Sequence, residues 1–194
     1  MSTTKEASER SIQARLGQAG AKIDGIVAKA RHAHDDGKSR VGRRVDALRA
    51  REARTRTRLR ELHQADQAAW DAHVAELDRE LDELEVEMAI AEARLNAELA
   101  ADDAAFAAAV DAELDAWSGH IEVMQARAAA AKQHARTKRE AAILRVRERR
   151  TAARHQLQAF RKGASKPTPA RRAEVTHAMD DLDRAADEAA AEID

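Results

Sequence analysis

Few residues of this 194-residue chain have the types and spacing that chemistry requires. Glu174 and His177 are three residues apart, the helical carboxylate–histidine spacing found in di-iron helix bundles. Such a site needs a second Glu-x-x-His pair and two further inward glutamates, and the sequence contains no second pair. We therefore interpret Glu174 and His177 as a solvated polar pair.

A second group of potential metal ligands lies in the segment HAHDDG, which holds His32, His34, Asp35 and Asp36. Residues two apart on a helix do not share a face, so the two histidines are poorly placed to bind one metal ion. The Asp36-Gly37 pair is typical of a turn. We expect a polar helix end here, and no metal site.

Enzyme chemistry finds no other support in the sequence. The remaining histidines are scattered among charged residues, and the chain has neither a cysteine nor a glycine-rich phosphate loop. We predict that the protein is not an enzyme and has no cofactor.

Basic runs at 40–60 and 136–154 could contact nucleic acid phosphates. No aromatic platform accompanies them, so acidic helices are the more favoured partners.

The composition favours long helices. Charged residues make up 36% of the chain and aromatic residues 2%, and the only prolines are Pro167 and Pro169. Such charge also occurs in disordered chains, but here the net charge is only −1 and the apolar residues are periodic. No apolar run approaches the ~20 residues that span a bilayer, and the N-terminal sequence lacks the apolar core of a secretory signal. We expect a cytoplasmic protein.

The strongest periodicity begins at Trp70, where apolar residues recur in steps of four and three up to Leu95. This heptad spacing places them on one narrow helix face that requires a partner surface. Further along, the spacing becomes eleven residues, which straightens the face or winds it right-handedly. The predicted partner surface consists of Trp70, Leu77, Leu81, Leu84, Met88, Leu95, Leu99, Phe106, Val110, Trp117 and Ile121.

Turn, glycine and proline signals in the sequence divide the chain into five predicted segments. An N-terminal helix and turn occupy 1–37, a long central helix 38–118, a return helix 120–162, a linker 163–169 and an acidic C-terminal helix 170–194. The reversal is expected near Gly119, although the apolar spacing continues across this glycine. An antiparallel dimer of continuous helices is therefore an alternative to a chain that reverses at Gly119.

The charges are arranged in blocks: 38–60 has a net charge of +8, 66–115 of −14, 127–162 of +10 and 171–194 of −5. A reversal at Gly119 would lay basic 127–162 along acidic 76–111 and allow the last helix to cover 38–60. Such complementarity selects helix partners and orientation. We predict an all-α, elongated antiparallel coiled coil: one long central helix with a two-stranded coil at one end and a three-helix bundle at the other.

These features favour a non-enzymatic coiled-coil scaffold or adaptor that binds a protein partner, or a second copy, through helical surfaces. One alternative is an amphipathic coat for a lipid or storage-polymer surface, because eleven-residue periodicity also occurs in exchangeable apolipoprotein-like and granule-coating proteins. The other is a nucleic-acid-binding helical protein. The identity of the partner does not follow from the sequence.

Overall fold

A computed structural model describes residues 2–33, 35–129, 133–163 and 169–193. Within these ranges all regular secondary structure is helical, which confirms the prediction of an all-α protein. The six helices are α1 (Ser2–Ala30), α2 (Asp35–Gln64), α3 (Gln67–Glu98), α4 (Asp103–Ala129), α5 (Gln133–Lys162) and α6 (Pro169–Ile193). The chain divides into two compact units, at residues 1–99 and 100–194.

The first unit contains α1, α2 and α3, each of which contacts the other two. One apolar cluster joins the start of α1, the end of α2 and the start of α3; its buried members are Ile12, Leu16, Leu59, Leu62, Trp70, Leu77 and Leu81. A second cluster joins the opposite ends: Ala19, Ile23, Ile26, Ala33, Val41, Val45, Leu48, Leu84, Met88, Ala91 and Leu95. Successive helices therefore run antiparallel around a common core.

A polar segment of α2 lies between these two clusters. Thr55 occupies a core position at 1% exposure, and its hydroxyl donates to the carbonyl of Arg51. Arg51 in turn donates to the buried carboxylate of Glu83 over 2.7 Å. Because a buried charge must be paired to be tolerated, this contact favours one register between α2 and α3.

The second unit contains α4, α5 and α6, and α5 packs on both of the others. Phe106 of α4 meets Phe160 of α5 edge-on, with ring centroids 5.4 Å apart. The buried apolar residues of α5 are Ala142, Ile143, Val146, Ala153, Leu157 and Phe160, and those of α6 are Val175, Met179, Leu182, Ala185, Ala186, Ala189 and Ile193. Alanine is frequent on these faces and allows the helices to approach closely.

The structure differs from the expected single helix over 38–118. Two short interruptions divide this range, one after Gln64 and one after Glu98. At the first, the Asp66 carboxylate accepts a hydrogen bond from the backbone N–H of Ala69; at the second, Asp102 accepts one from Ala105, each over 2.8 Å. These carboxylates satisfy N–H groups that lack partners at a helix start, so a helix can restart without Gly or Pro.

The expected reversal at Gly119 is also not what the structure has. Gly119 lies inside α4, where the buried side chains of Trp117 and Ile121 continue one apolar face across it. An isolated glycine is tolerated within a helix when packing continues on both sides. The expected return helix 120–162 is instead divided between α4 and α5, and the connection at 130–132 lies outside the described residues.

The helices thus form two groups of three, one in each unit, and the predicted arrangement of a two-stranded coil and a three-helix bundle on one central helix is not confirmed. The acidic helix that packs on basic 38–60 is α3, while α6 packs on α5 in the second unit. Charge alone does not determine these pairings because several acidic segments can pair with each basic one. Most of the predicted linker, 164–168, lies outside the described residues; α5 ends at Lys162, followed by a turn at Gly163.

Candidate interaction grooves

The predicted partner surface is located mainly in the interiors of the two units. Its residues on α3 are buried in the first unit: Trp70, Leu77, Leu81, Leu84, Met88 and Leu95. Those on α4 are buried in the second unit: Phe106, Val110, Trp117 and Ile121. Leu99, at the C-cap of α3, is 36% exposed. All of these residues except Leu99 are therefore buried.

A repeated local motif, which the predicted segments do not include, positions two of these aromatic residues. Asp66 and Asp102 are each followed by x-Ala-Ala and then by an aromatic residue, Trp70 or Phe106. In both cases the aspartate caps a helix and the aromatic side chain is buried one turn later. The available signal was the repetition of an N-cap residue at the same distance from an aromatic residue.

A cation covers each of these aromatic rings. The Lys5 ammonium lies 5.4 Å from the ring centroid of Trp70 and donates to the carbonyl of Ala65 over 2.8 Å. The Arg172 guanidinium lies 5.2 Å from the Phe106 ring centroid and donates to Asp103 over 2.6 Å. Each cation thus joins the start of a distant helix to the start of α3 or α4.

The first unit has an open groove between α1 and α2, which we call the α1/α2 groove. Its volume is about 430 Å³, and the buried side chains of Leu16 and Leu59 form its apolar floor. Gly17 lines the α1 side, and a Cβ added there would have no atom within 4 Å. The missing side chain leaves part of this groove open.

The walls of the α1/α2 groove are polar. On the α2 side Arg56, Arg60 and His63 follow one another at helical spacing. On the α1 side, Glu9 is nearly buried; its carboxylate lies 2.6 Å from His63 Nδ1 and accepts from the Gln13 amide over 3.2 Å. The groove therefore presents cationic groups beside an apolar floor, with its buried carboxylate already bonded.

The second unit has a corresponding groove between α4 and α5, which we call the α4/α5 groove. Its volume is about 470 Å³, and its floor includes the buried side chains of Ala128 and Ile143. Leu144, which is 55% exposed, forms an apolar edge. Arg136 and Arg147 also line this groove. In both units, then, the open groove lies between the first helix and the basic second helix.

Ion pairs connect α1 to α3 in the first unit. Arg15 of α1 contacts three carboxylates of α3: Asp78 at 3.5 Å, Asp82 at 2.6 Å and Glu85 at 2.9 Å. Burial favours a lower pKa for Arg15, but the hydrogen bonds and charges of Glu85 and Asp82 outweigh it and raise the pKa. The basic groups on the side facing α3 are thus largely neutralised.

Charge opposes burial in setting the pKa of Glu92 and reinforces it in setting the pKa of Arg150. A hydrogen bond from Lys22 lowers the pKa of Glu92 despite partial burial, and the charges of Lys22 and Lys29 lower it further. In the second unit burial lowers the pKa of Arg150, and the neighbouring charge of Arg154 adds to this effect. Arg150 donates to the Leu114 carbonyl over 2.9 Å, which links α5 to α4.

The potential metal ligands remain apart from the grooves. The side chains of Glu174 and His177 are exposed on α6, with His177 Nε2 3.9 Å from Asp181. His32 is exposed at the end of α1, whereas His34 and the side chains of Asp35 and Asp36 lie outside the described part of the chain. Among described residues, no three His, Asp or Glu side chains group as metal ligands would.

Comparisons with protein-family models, curated proteins and solved structures give no match for this chain. Among the described helices, none has both the length and the hydropathy needed to cross a membrane.

Proposed function

We propose that the protein is a non-enzymatic helical adaptor that holds helical segments of partner proteins in the α1/α2 and α4/α5 grooves. The observation that carries this proposal is the open groove between the first two helices of each unit. Both grooves have an apolar floor and arginines along the second helix. An amphipathic helix binds such a surface by placing its apolar residues in the groove and its polar residues against the walls.

The dimensions of the grooves suit this kind of partner. Helices pack at axial distances of ~8–10 Å when the side chains of one fill the grooves of the other. Gly17 and Ala129 present little or no side chain at the groove edges, so a third helix can approach closely there. Because each groove lies within one unit, we expect two binding sites per chain.

The coat-protein alternative would use other surfaces. A lipid or storage-polymer surface would bind the broad apolar faces of the helices, and these faces lie in the cores of the units. Coating would therefore require a unit to open, at the cost of its core. Binding of a partner helix leaves both cores intact, which is why we prefer the adaptor role.

The proposal can be tested with three helix-stabilised peptides of about 18 residues, long enough for five helical turns. All share one leucine stripe, and their polar faces carry Gln, Glu or Lys. Isothermal titration calorimetry should show two bound peptides per chain for at least one of the three. If the folded protein binds none of them, the adaptor role is contradicted.

A matched pair of variants assigns this binding to the α1/α2 groove. Gly17→Leu fills the groove, whereas Gly25→Leu places the same side chain on the same helix outside the residues that line it. A Cβ at either position has open space, so both variants should fold. Gly17→Leu should reduce the stoichiometry from two peptides to one, and Gly25→Leu should leave it unchanged. Equal stoichiometries in the two variants would contradict binding in this groove.

A further inference from the structure

The second unit contains a ladder of arginines along one face of α5. Arg147, Arg154 and Arg161 are spaced by seven residues, which places them on the same side of the helix. Arg161 forms an ion pair with Asp111 of α4, and Arg154 forms one with Asp115 of α4 at 3.4 Å. The first two contacts of this ladder thus attach an acidic helix to α5.

The third arginine of the ladder, Arg147, lines the α4/α5 groove. The register of the Arg154–Asp115 pair brings Arg147 near Glu122, which is exposed and is not among the residues that line the α4/α5 groove. The described residues of α4 that line the groove with Arg147 are neutral: Gln125, Ala128 and Ala129. No carboxylate of the described residues lies within ion-pair distance of Arg147. The ladder therefore continues into the groove with a cation available to a ligand.

The other faces of α5 indicate what kind of ligand fits. α6, whose net charge is −4, packs on α5 through Arg145–Glu192 at 2.5 Å and Arg149–Asp181 at 4.0 Å. α4, also with a net charge of −4, packs on another face through Asp111 and Asp115. Among the described helices, α4 and α6 both pack on α5, and each is acidic and buries apolar residues.

The remaining residues of the groove match the same kind of ligand. Leu144 offers an exposed apolar contact beside buried Ile143. Arg136 is paired with Glu140 on the same helix at 2.7 Å, and both side chains are about half exposed. Because exposed pairs one turn apart are weak, Arg136 can exchange this partner for a carboxylate of a ligand.

From this charge complementarity we propose that the α4/α5 groove binds an acidic amphipathic helix of a partner protein. This inference rests on the proposed adaptor function and specifies the partner at one of its two sites. The apolar residues of the partner lie on Leu144 and Ile143, and its Asp or Glu side chains pair with Arg147 and Arg136. A helix with a basic polar face is repelled by the same arginines.

The test uses the full-length chain and the Gln, Glu and Lys peptides described above, with Gly17→Leu as the background so that only the α4/α5 groove is open. The Glu peptide should bind about tenfold more tightly than the Gln peptide. Arg147→Glu should remove this preference and leave the affinity for the Gln peptide within about twofold. The preference should also shrink between about 0.05 M and 0.5 M salt, since ions screen exposed charges.

Lys138→Glu is the matched control. It makes the same change in charge on an exposed position of α5 that does not line the groove. It should preserve most of the preference for the Glu peptide, and the Lys peptide should bind Arg147→Glu better than it binds Lys138→Glu. Should Arg147→Glu lose helical circular dichroism, Arg147→Gln provides the same comparison with a smaller reduction in the preference.

Three results overturn the inference. Equal binding of the Glu and Gln peptides removes the acidic selectivity while leaving the adaptor role in place. Equal effects of Lys138→Glu and Arg147→Glu assign the selectivity to overall charge and not to the groove. A dimer in light scattering that Arg147→Glu dissociates identifies the occupant as a second copy of this chain. Failure of all three peptides, by contrast, contradicts the adaptor role itself.

Discussion

His63 Nδ1 lies 2.6 Å from Glu9 Oε1, and this contact joins the end of α2 to the start of α1. The Glu9 carboxylate is nearly buried and also accepts from Gln13, while His63 is largely exposed. A buried carboxylate needs such partners because water no longer solvates it fully. The contact therefore connects α2 to α1 at residues that line the α1/α2 groove.

Removing this carboxylate should destabilise the first unit. We expect Glu9→Ala to lower the free energy of unfolding by about 1–3 kcal/mol, because Gln13 and His63 lose their shared acceptor. Glu6→Ala, at an exposed position one turn earlier, should cost less than about 0.5 kcal/mol. Urea unfolding followed by circular dichroism measures both. Equal midpoints for the two variants would show that the Glu9 contact contributes nothing.

The packing of the predicted apolar face can be tested at Leu84 and Leu99. Leu84 is fully buried in the first unit, whereas Leu99 is partly exposed at the C-cap of α3. Leu84→Ala should cost about 2–5 kcal/mol through lost burial and a residual cavity. Leu99→Ala should cost under about 1 kcal/mol. The same unfolding experiment compares them, and a larger cost at Leu99 would contradict the arrangement of α3.

The two aspartate caps make a further prediction. Asp66→Ala and Asp102→Ala should each destabilise their own unit by about 0.5–2 kcal/mol, since the first N–H groups of α3 or α4 lose an acceptor. Asp46→Ala, on the exposed surface of α2, provides a control with the same change in charge. Amide exchange should accelerate near residue 69 or 105 in the matching variant. Protection unchanged at both sites would argue for an uninterrupted helix.

Glu92 links stability to pH. Its pKa is lowered in the folded state, first by the hydrogen bond from Lys22, so the folded protein holds this proton less tightly than the unfolded chain does. The contribution of Glu92 to stability is therefore present above the unfolded-state pKa and is lost as the pH falls through the folded-state pKa. Glu92→Gln should flatten the loss of stability below pH ~4.5. Parallel pH profiles for the two proteins would contradict this role.

The sequence predicts the buried apolar residues of α3 better than it predicts where the helices end. The buried stripe through Leu77, Leu84 and Leu95 follows from heptad spacing, because residues that share a helix face are buried together. The helix interruptions at Asp66 and Asp102 are not predicted from the sequence, because they contain no Gly or Pro and the spacing of the apolar residues is nearly unbroken across them. Single aspartates are common in helices, so only the repeated distance to an aromatic residue marks these two as caps.

The grooves were less accessible to prediction than the core. Gly17 resembles Gly20 and Gly25 in the sequence, and only the packing of α1 on α2 identifies Gly17 as part of a groove. In the same way, Glu83 belongs to an acidic run that is mostly on the surface, yet it is buried and bonded to Arg51. Charge blocks gave the correct kinds of partner helix but not which acidic helix meets which basic one.

Both grooves depend on three-helix units, so the chain must reverse between α2 and α3 and again between α4 and α5. Electron spin resonance distances test this with labels at exposed pairs, Arg54 with Arg79 in the first unit and Ala112 with Gln158 in the second. Packed helices predict both distances below about 25 Å, and these should persist when labelled chains are diluted into unlabelled protein. Continuous helices would give distances of ~38 Å and ~69 Å at 1.5 Å per residue, and such distances would contradict the two-unit fold. Short distances that disappear on dilution would also contradict it, because they would arise between chains.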